Sequence, residues 1–262
     1  MSDVDRLVRD PYAVYARKVL GLRPLDPPGR KADPLTRGNA IHAALDTFVE
    51  RTLGGLGPDT EAVFRATVRE AFDREAPWPA VNALWTARLM RAARWFLDGE
   101  AERRAAGTPA AREVAGSRLL DGTSVTITAR ADRIDRTAGG WAIYDYKSGS
   151  TPSRADAAAR YLQLPIEAAI AAAGGFEALA AGPVERLELI RFGGKEPEAI
   201  PLDPAAVAAI WTRLAGLVGH YLDADAGFVA RLRPSEFPGD HDHLSRFGEW
   251  ADGDAADPEP WA

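Results

Sequence analysis

The sequence predicts an α/β fold, a central mixed β-sheet flanked by helices with a helical N-terminal portion ahead of it. Three observations predict it. Helix-period apolar spacing runs through most of residues 1–110. Near residue 112 the character changes to short segments enriched in Thr, Val and Ile, separated by Gly-containing turns. Beyond residue 160, helix-like and strand-like segments alternate.

The elements follow in order. Leu7, Val8, Tyr12, Tyr15 and Val19 predict a helix interrupted near Pro11, and a Pro/Gly-rich linker, RPLDPPGRKADP, comes next. TRGNAIHAALDTFVERTL sets Ile41, Leu45, Phe48 and Leu53 on one helical face, with Thr36 as its cap. Further helices are expected over roughly 59–75 and 80–105. EVAGSRLL, TSVTITARADRID and GWAIYDYKS read as three strands. ARYLQLPIEAAIAAAGG returns to helix and ends at Gly174-Gly175, with Pro165 tolerable only in its first turn. VERLELIRF is a further strand, and a helix of about 203–222 follows. The stretch after Gly227, rich in Pro, Asp and Trp, is expected to be irregular, and Phe237, His241, His243, Phe247 and Trp250 would pin it by packing. Residues 1–262 are expected to form a single domain: 1–110 mainly helical, 111–222 the core, 223–262 the tail.

Composition bounds the function classes. With 46% hydrophobic and 27% charged residues the chain has the make-up of a globular protein. No apolar run approaches the ~20 residues that span a bilayer, and the N-terminus MSDVDRLVRD has no signal-peptide apolar region. A cytoplasmic location without membrane attachment is the expectation. Zero cysteines exclude disulfides, thiolate metal sites and a cysteine nucleophile. A net charge of −6 argues against a generic nucleic-acid coat, but the charge is uneven. Residues 1–37 carry eight Lys/Arg against five Asp/Glu, whereas residues 221–262 carry three against ten. An acidic total is compatible with DNA binding where basic residues line one groove.

The stretch AIYDYKSGS ends an apolar run on Asp145 and Lys147. A hairpin loop of two residues (138–139) or four (137–140) makes paired positions sum to 277, which sets Asp132 opposite Asp145 and Ile134 opposite Ile143. Cross-strand neighbours have Cβ atoms ~4.5–5.5 Å apart, so two carboxylates there repel unless one is protonated or a cation lies between them. Lys147, two residues beyond Asp145, points from the same face and could compensate alone as a sheet-edge ion cluster. A divalent ion explains more: Mg²⁺ (or Mn²⁺) takes oxygen ligands, and two carboxylates plus the carbonyl of Tyr146 suit it. Such an ion lowers the pKa of a bound water, while Lys147 could orient or deprotonate that water or stabilise phosphate charge. Tyr144 and Tyr146 would face the other way, into packing.

ADRID followed by YDYKSG resembles two motifs of the PD-(D/E)XK nuclease superfamily, with Asp132, Asp145 and Lys147 in the D…D-x-K positions. GNAIHAALD resembles the G-x-x-x-H helix motif of its RecB-like branch, which implies a metal-ligand role for His42. QLPIEAAI resembles the Q-x-x-x-Y motif at Gln163, with Glu167 where tyrosine is usual. Four motifs in order cover residues 38–167, and RDPYAVYARKVLGLRPLDP and DHLSRFGEW resemble the nuclease domains of AddB-type subunits. The resemblance implies a restriction-endonuclease-like core and a Mg²⁺-dependent deoxyribonuclease, an exonuclease on single-stranded DNA ends. It also implies an AddA-type helicase–nuclease partner and a role in double-strand-break resection. Relatives of this kind often hold an iron–sulfur cluster on four cysteines, which a chain without cysteine cannot do.

Other residues carry weaker signals. A histidine beside an apolar stripe, as His42 is, is commonly a packed core residue; its place after Gly38 and upstream of both aspartates favours the ligand role. Gln163 could bind a phosphate or position Lys147. Arg130, Arg133, Arg154 and Arg160 bracket the motifs and are candidate phosphate contacts, Arg130 falling opposite Lys147 in the 277 register. Glu113 is expected to open the first strand; it could add a further carboxylate near the site, but a solvated strand start is favoured. Two other functions stay open: a non-catalytic DNA-binding or scaffolding module, and a metal-dependent phosphoesterase acting on nucleotides.

Overall fold

The structure is a computed structural model that describes residues 3–25, 29, 32–149, 161–177, 179–193, 196–230 and 239–245. Helices α1 (Asp3–Arg9) and α2 (Pro11–Lys18) are parted at Asp10, whose carboxylate accepts the Ala13 amide at 3.1 Å, and Pro11 takes the first turn of α2. In α3 (Pro34–Arg51) the cap is Asp33 and not Thr36: its carboxylate accepts the Thr36 amide at 2.7 Å. This helix buries Ala40, Ile41, Ala44, Leu45, Phe48 and Val49, while Leu53 lies past its end and is exposed. α4 (Thr60–Glu75), α5 (Pro79–Arg91) and α6 (Ala93–Ala106) complete the helical portion. The segment expected as one helix over 80–105 is thus two, parted at Ala92.

The sheet has the order β1-β2-β3-β4-β5, formed by β1 (Gly107–Leu119), β2 (Thr126–Thr137), β3 (Trp141–Lys147), β4 (Val184–Arg191) and β5 (Glu198–Leu202). β3 and β4 are parallel and the other neighbours antiparallel, a mixed sheet as the sequence predicts. α7 (Gln163–Ala172) joins β3 to β4, with Pro165 in its first turn. A 3₁₀ turn (Pro204–Ala206) leads into α8 (Val207–Leu222), and the short α9 (Asp242–Ser245) lies near the end of the described residues. The stretch Pro204–Leu222 has the length and apolar character of a bilayer span, against the sequence expectation that none does. It buries Trp211, Leu214 and Leu217, the first two in one core with α7 residues. Of the residues expected to pin the tail, His241 is buried and His243 is exposed, against expectation; Phe237, Phe247 and Trp250 lie outside the described residues.

Each sheet face covers its own core, because successive strand residues point to opposite sides. On one face Ile134, Trp141, Ile143, Leu187 and Leu189 pack with α7 and α8. On the other, Ala142, Tyr144, Tyr146 and Ile190 pack with α3–α6, so both tyrosines face packing as expected. Between α6 and this second face lies a buried charge network. Arg133 binds Glu100 at 2.7 Å and Asp135 at 2.6 Å, and Arg103 binds Glu100 and Glu188, both at 3.1 Å. Arg104 pairs with Glu100 at 2.7 Å and donates to the Thr52 carbonyl at 3.0 Å, capping the end of α3.

Candidate active site

The hairpin fixes the geometry of the site. β2 pairs with β3 through Arg133↔Tyr144, Ile134↔Ile143, Asp135↔Ala142 and Arg136↔Trp141, every pair summing to 277, and the Thr137 amide donates to the Gly140 carbonyl at 3.0 Å across the turn. The ladder stops one pair short of Asp132 and Asp145. Here a side chain replaces the backbone bond: Asp132 Oδ2 accepts the Tyr146 amide at 2.8 Å. Both carboxylates are buried, Asp145 at 0% exposure and Asp132 at 8%.

α3 brings His42 to Asp132, with Nδ1 3.2 Å from Oδ1, and the His42 ring meets Tyr146 edge-on at 6.3 Å. Glu113 joins this pair, 3.9 Å from His42 Nδ1 and held on its other side by Arg130 Nε at 2.8 Å. Glu113 does not open β1; it sits mid-strand, between the pairs Arg112↔Arg133 and Val114↔Ala131 and therefore level with Asp132. Its φ of 46° makes it the only non-glycine residue in the left-handed region among those described. One ligand atom each of His42, Glu113 and Asp132 lies within 4.8 Å of the other two. The carboxylate oxygens are hard donors that suit Mg²⁺ or Mn²⁺, and the imidazole nitrogen adds a softer donor, which a transition ion such as Mn²⁺ accepts more readily than Mg²⁺.

Beside this cluster, Lys147 Nζ lies 2.9 Å from Asp145 Oδ1 and 3.1 Å from Gln163 Oε1. Gln163 Nε2 donates to Glu167 Oε1 at 2.9 Å. Tyr161, which carries no motif of its own, donates its hydroxyl to Asp145 Oδ2 at 2.8 Å. A phenol is therefore present although position 167 holds a glutamate.

The electrostatics follow from burial and like charge. Burial raises the Asp145 pKa to about 6; Lys147 opposes the shift and Asp132 adds to it. Burial also pushes the Glu167 carboxyl well above its usual range, helped by the charge of Asp145. Burial works to lower the His42 pKa, but the Asp132 and Glu113 carboxylates outweigh it and bring it to about 10. Lys147 is likewise disfavoured by burial yet held above its ordinary value by Asp145 and Asp132, so it is an ammonium donor rather than a base.

The sequence-predicted residues divide accordingly. His42 and Asp132 come together with Glu113, and Asp145, Lys147 and Gln163 form an adjoining group; Asp145 is not among the three residues whose ligand atoms lie within 4.8 Å of one another. Tyr146 contributes an amide to the arrangement. Arg130 pairs with Ala115 across the β1–β2 ladder and not with Lys147, and it extends outward beside Glu113. Arg133 is a correction: it is 1% exposed and bound to Glu100 and Asp135, so no phosphate can reach it. It follows Asp132 by one residue, and strand alternation sends it to the opposite face. Arg154 and Arg160 lie outside the described residues.

Comparison with known proteins bears on this arrangement. The family model of the PD-(D/E)XK nuclease superfamily matches residues 1–252. An uncharacterized protein of Rickettsia bellii is 25% identical over 168 residues, and one of Rickettsia typhi is 24% identical over 172. Each alignment covers 59% of this chain, and the chain spans only 19% of the length of these curated relatives. The crystal structure of SSO0001 aligns at 18% identity with a TM-score of 0.28, covering 72% of this chain and 89% of that one. With a five-stranded mixed sheet between two helical layers and a family match over nearly its whole length, the chain has the restriction-endonuclease-like fold and belongs to the PD-(D/E)XK nuclease superfamily.

Proposed function

We propose that this chain hydrolyses DNA phosphodiester bonds with Mg²⁺ or Mn²⁺, and that it is the nuclease portion of an AddB-type protein. In this reading it acts as an exonuclease on single-stranded ends delivered by an AddA-type helicase subunit during break resection and recombination. The observation that carries the nuclease reading is the convergence of His42, Glu113 and Asp132 within 4.8 Å, beside the Asp145–Lys147 pair. The finer AddB-type assignment is supported by the likeness of RDPYAVYARKVLGLRPLDP and DHLSRFGEW to that group.

His42, Asp132 and Asp145 would hold the metal, with the Tyr146 carbonyl as expected from sequence and Glu113 added from its position. A divalent ion there supplies positive charge to the phosphate and a water of lowered pKa. The chain's own residues do the rest. Lys147, kept as an ammonium by its carboxylate neighbours, stabilises charge developing on the phosphate oxygens. Gln163 fixes where that ammonium points. Arg130, whose side chain is 66% exposed, can contact a neighbouring phosphate. The test is hydrolysis of a single-stranded oligonucleotide with Mg²⁺ or Mn²⁺. Asp145→Ala and Lys147→Ala should each abolish it; full activity in both would refute the reading. DNA binding without cleavage under any divalent ion would instead support the scaffold function.

A further inference from the structure

Resting on the metal-nuclease reading above, we propose that Tyr161 is a positioning residue of the site. Its hydroxyl holds the Asp145 carboxylate so that Asp145 and Lys147 keep one arrangement.

The argument is an accounting of donors and acceptors around a fully buried carboxylate. Asp145 has no exposure, so each oxygen must find its partner inside the protein. Oδ1 takes Lys147 Nζ at 2.9 Å, and Oδ2 takes the Tyr161 hydroxyl at 2.8 Å. The phenol has a single proton and two acceptors in reach, Asp145 Oδ2 and, at 3.3 Å, Gln163 Oε1. The carboxylate is the closer and the stronger acceptor, so it receives the proton. Gln163 Oε1 is already used: Lys147 only donates, so the 3.1 Å contact fixes the amide with its oxygen toward the ammonium and its NH₂ toward Glu167.

Glu167, Gln163, Lys147, Asp145 and Tyr161 thus form one hydrogen-bonded line, and every orientation along it is determined by the next group. Tyr161 ends that line on the oxygen of Asp145 that Lys147 does not hold. The Lys147 ammonium also sits 5.4 Å from the centre of the Tyr161 ring, so the same side chain touches both members of the pair. Without the hydroxyl, Oδ2 loses its donor and the carboxylate is free to turn toward Lys147 and away from the His42–Asp132 cluster.

The experiment is Mn²⁺ binding by calorimetry to the whole chain and to Tyr161→Phe, with kcat and KM on a single-stranded oligonucleotide measured beside it. Phenylalanine keeps the ring, its packing and its contact with the ammonium, and removes only the hydroxyl. Tyr144→Phe, on the opposite sheet face, is the control. The expected result is a Mn²⁺ affinity lower by about 10- to 100-fold in Tyr161→Phe, the size of effect seen when a ligand's hydrogen-bond partner is removed. kcat at saturating Mn²⁺ should fall while KM for DNA stays level, and Tyr144→Phe should leave the affinity unchanged. Tyr161→His, which restores a ring donor, should recover part of the loss. An affinity within twofold of the unaltered chain would overturn the assignment of Tyr161 alone. Loss of the fold in Tyr161→Phe would overturn it too, since the residue would then be structural. No Mn²⁺ binding by the unaltered chain would instead sink the metal reading on which the proposal rests.

Discussion

Glu113 offers the sharpest check on the site, because its backbone and its side chain make opposite demands. Its φ of 46° lies where a side chain with a Cβ costs about 1–2 kcal/mol, whereas glycine adopts it freely. In a regular strand the preference runs the other way, and glycine is worse than alanine by roughly 0.5–1 kcal/mol. Comparing Glu113→Gly with Glu113→Ala removes the carboxylate in both, so the difference isolates the backbone. The pair with Arg130, whose side chain is 66% exposed, is lost equally in the two variants and cancels. We expect the glycine variant to be the more stable by about 1 kcal/mol, or about 2–4 °C in Tm for a chain of this size. Both variants should bind Mn²⁺ more weakly than the unaltered chain. Thermal unfolding of the EDTA-treated proteins and calorimetric Mn²⁺ titration measure the two effects. An alanine variant as stable as the glycine one, or more so, would refute the strained conformation. Unchanged Mn²⁺ affinity in both would refute the ligand role.

Three further outcomes follow. Arg133→Ala leaves the buried Asp135 without its ion-pair partner and takes from Glu100 one of its three arginines, and should cost about 3–5 kcal/mol in urea unfolding; a loss under 1 kcal/mol would contradict the buried network. Gly116→Ala places a Cβ 2.3 Å from the Phe176 ring and should destabilise by about 1–3 kcal/mol, and a neutral effect would mean that β1 and the turn after α7 are not in contact. For pH, the folded His42 pKa of about 10 lies above its ordinary 6.5, so its protonated form stabilises the metal-free fold fully below pH 6.5 and that contribution is lost as pH rises to about 10. The stability difference between the EDTA-treated chain and His42→Gln should therefore shrink across that window; a constant difference would place His42 away from its carboxylates.

The hairpin was legible because two independent features agreed on it, the length of the loop and the apolar pair Ile134–Ile143. Once that register was set, strand alternation brought Asp132, Asp145 and Lys147 to the same place. The same alternation turns Arg133 to the opposite face, where it is buried against Glu100 and Asp135, although its place next to Asp132 in sequence suggests a phosphate contact. Strand β1 was expected to start at Glu113 and begins at Gly107 instead; Pro109 is a weak strand signal, but β1 is an edge strand, where proline is tolerated, and its register shifts between Pro109 and Ala111. β5 was missed for the same reason: EAIPL is five residues long, carries Pro201 and lies at the other edge. The break at Ala92 has neither glycine nor proline to announce it. Tyr161 could not have been found from a pattern, since its role depends on how the chain enters α7 and not on its spacing from the other residues.

The charge network on the helical side of the sheet works as a cross-brace behind the site. Arg133 is the next residue after Asp132; Glu100 binds Arg133 and Arg104, and Arg104 grips the end of the helix that carries His42. The spacing between an imidazole on one layer and a carboxylate on another is thereby set from the rear, by groups that never meet substrate. A well-packed apolar replacement of these charges could preserve stability while letting α3 slide against β2. Displacements of an ångström are enough to cost a site most of its rate. The tolerances of the site are therefore written into a part of the interior that its chemistry does not touch.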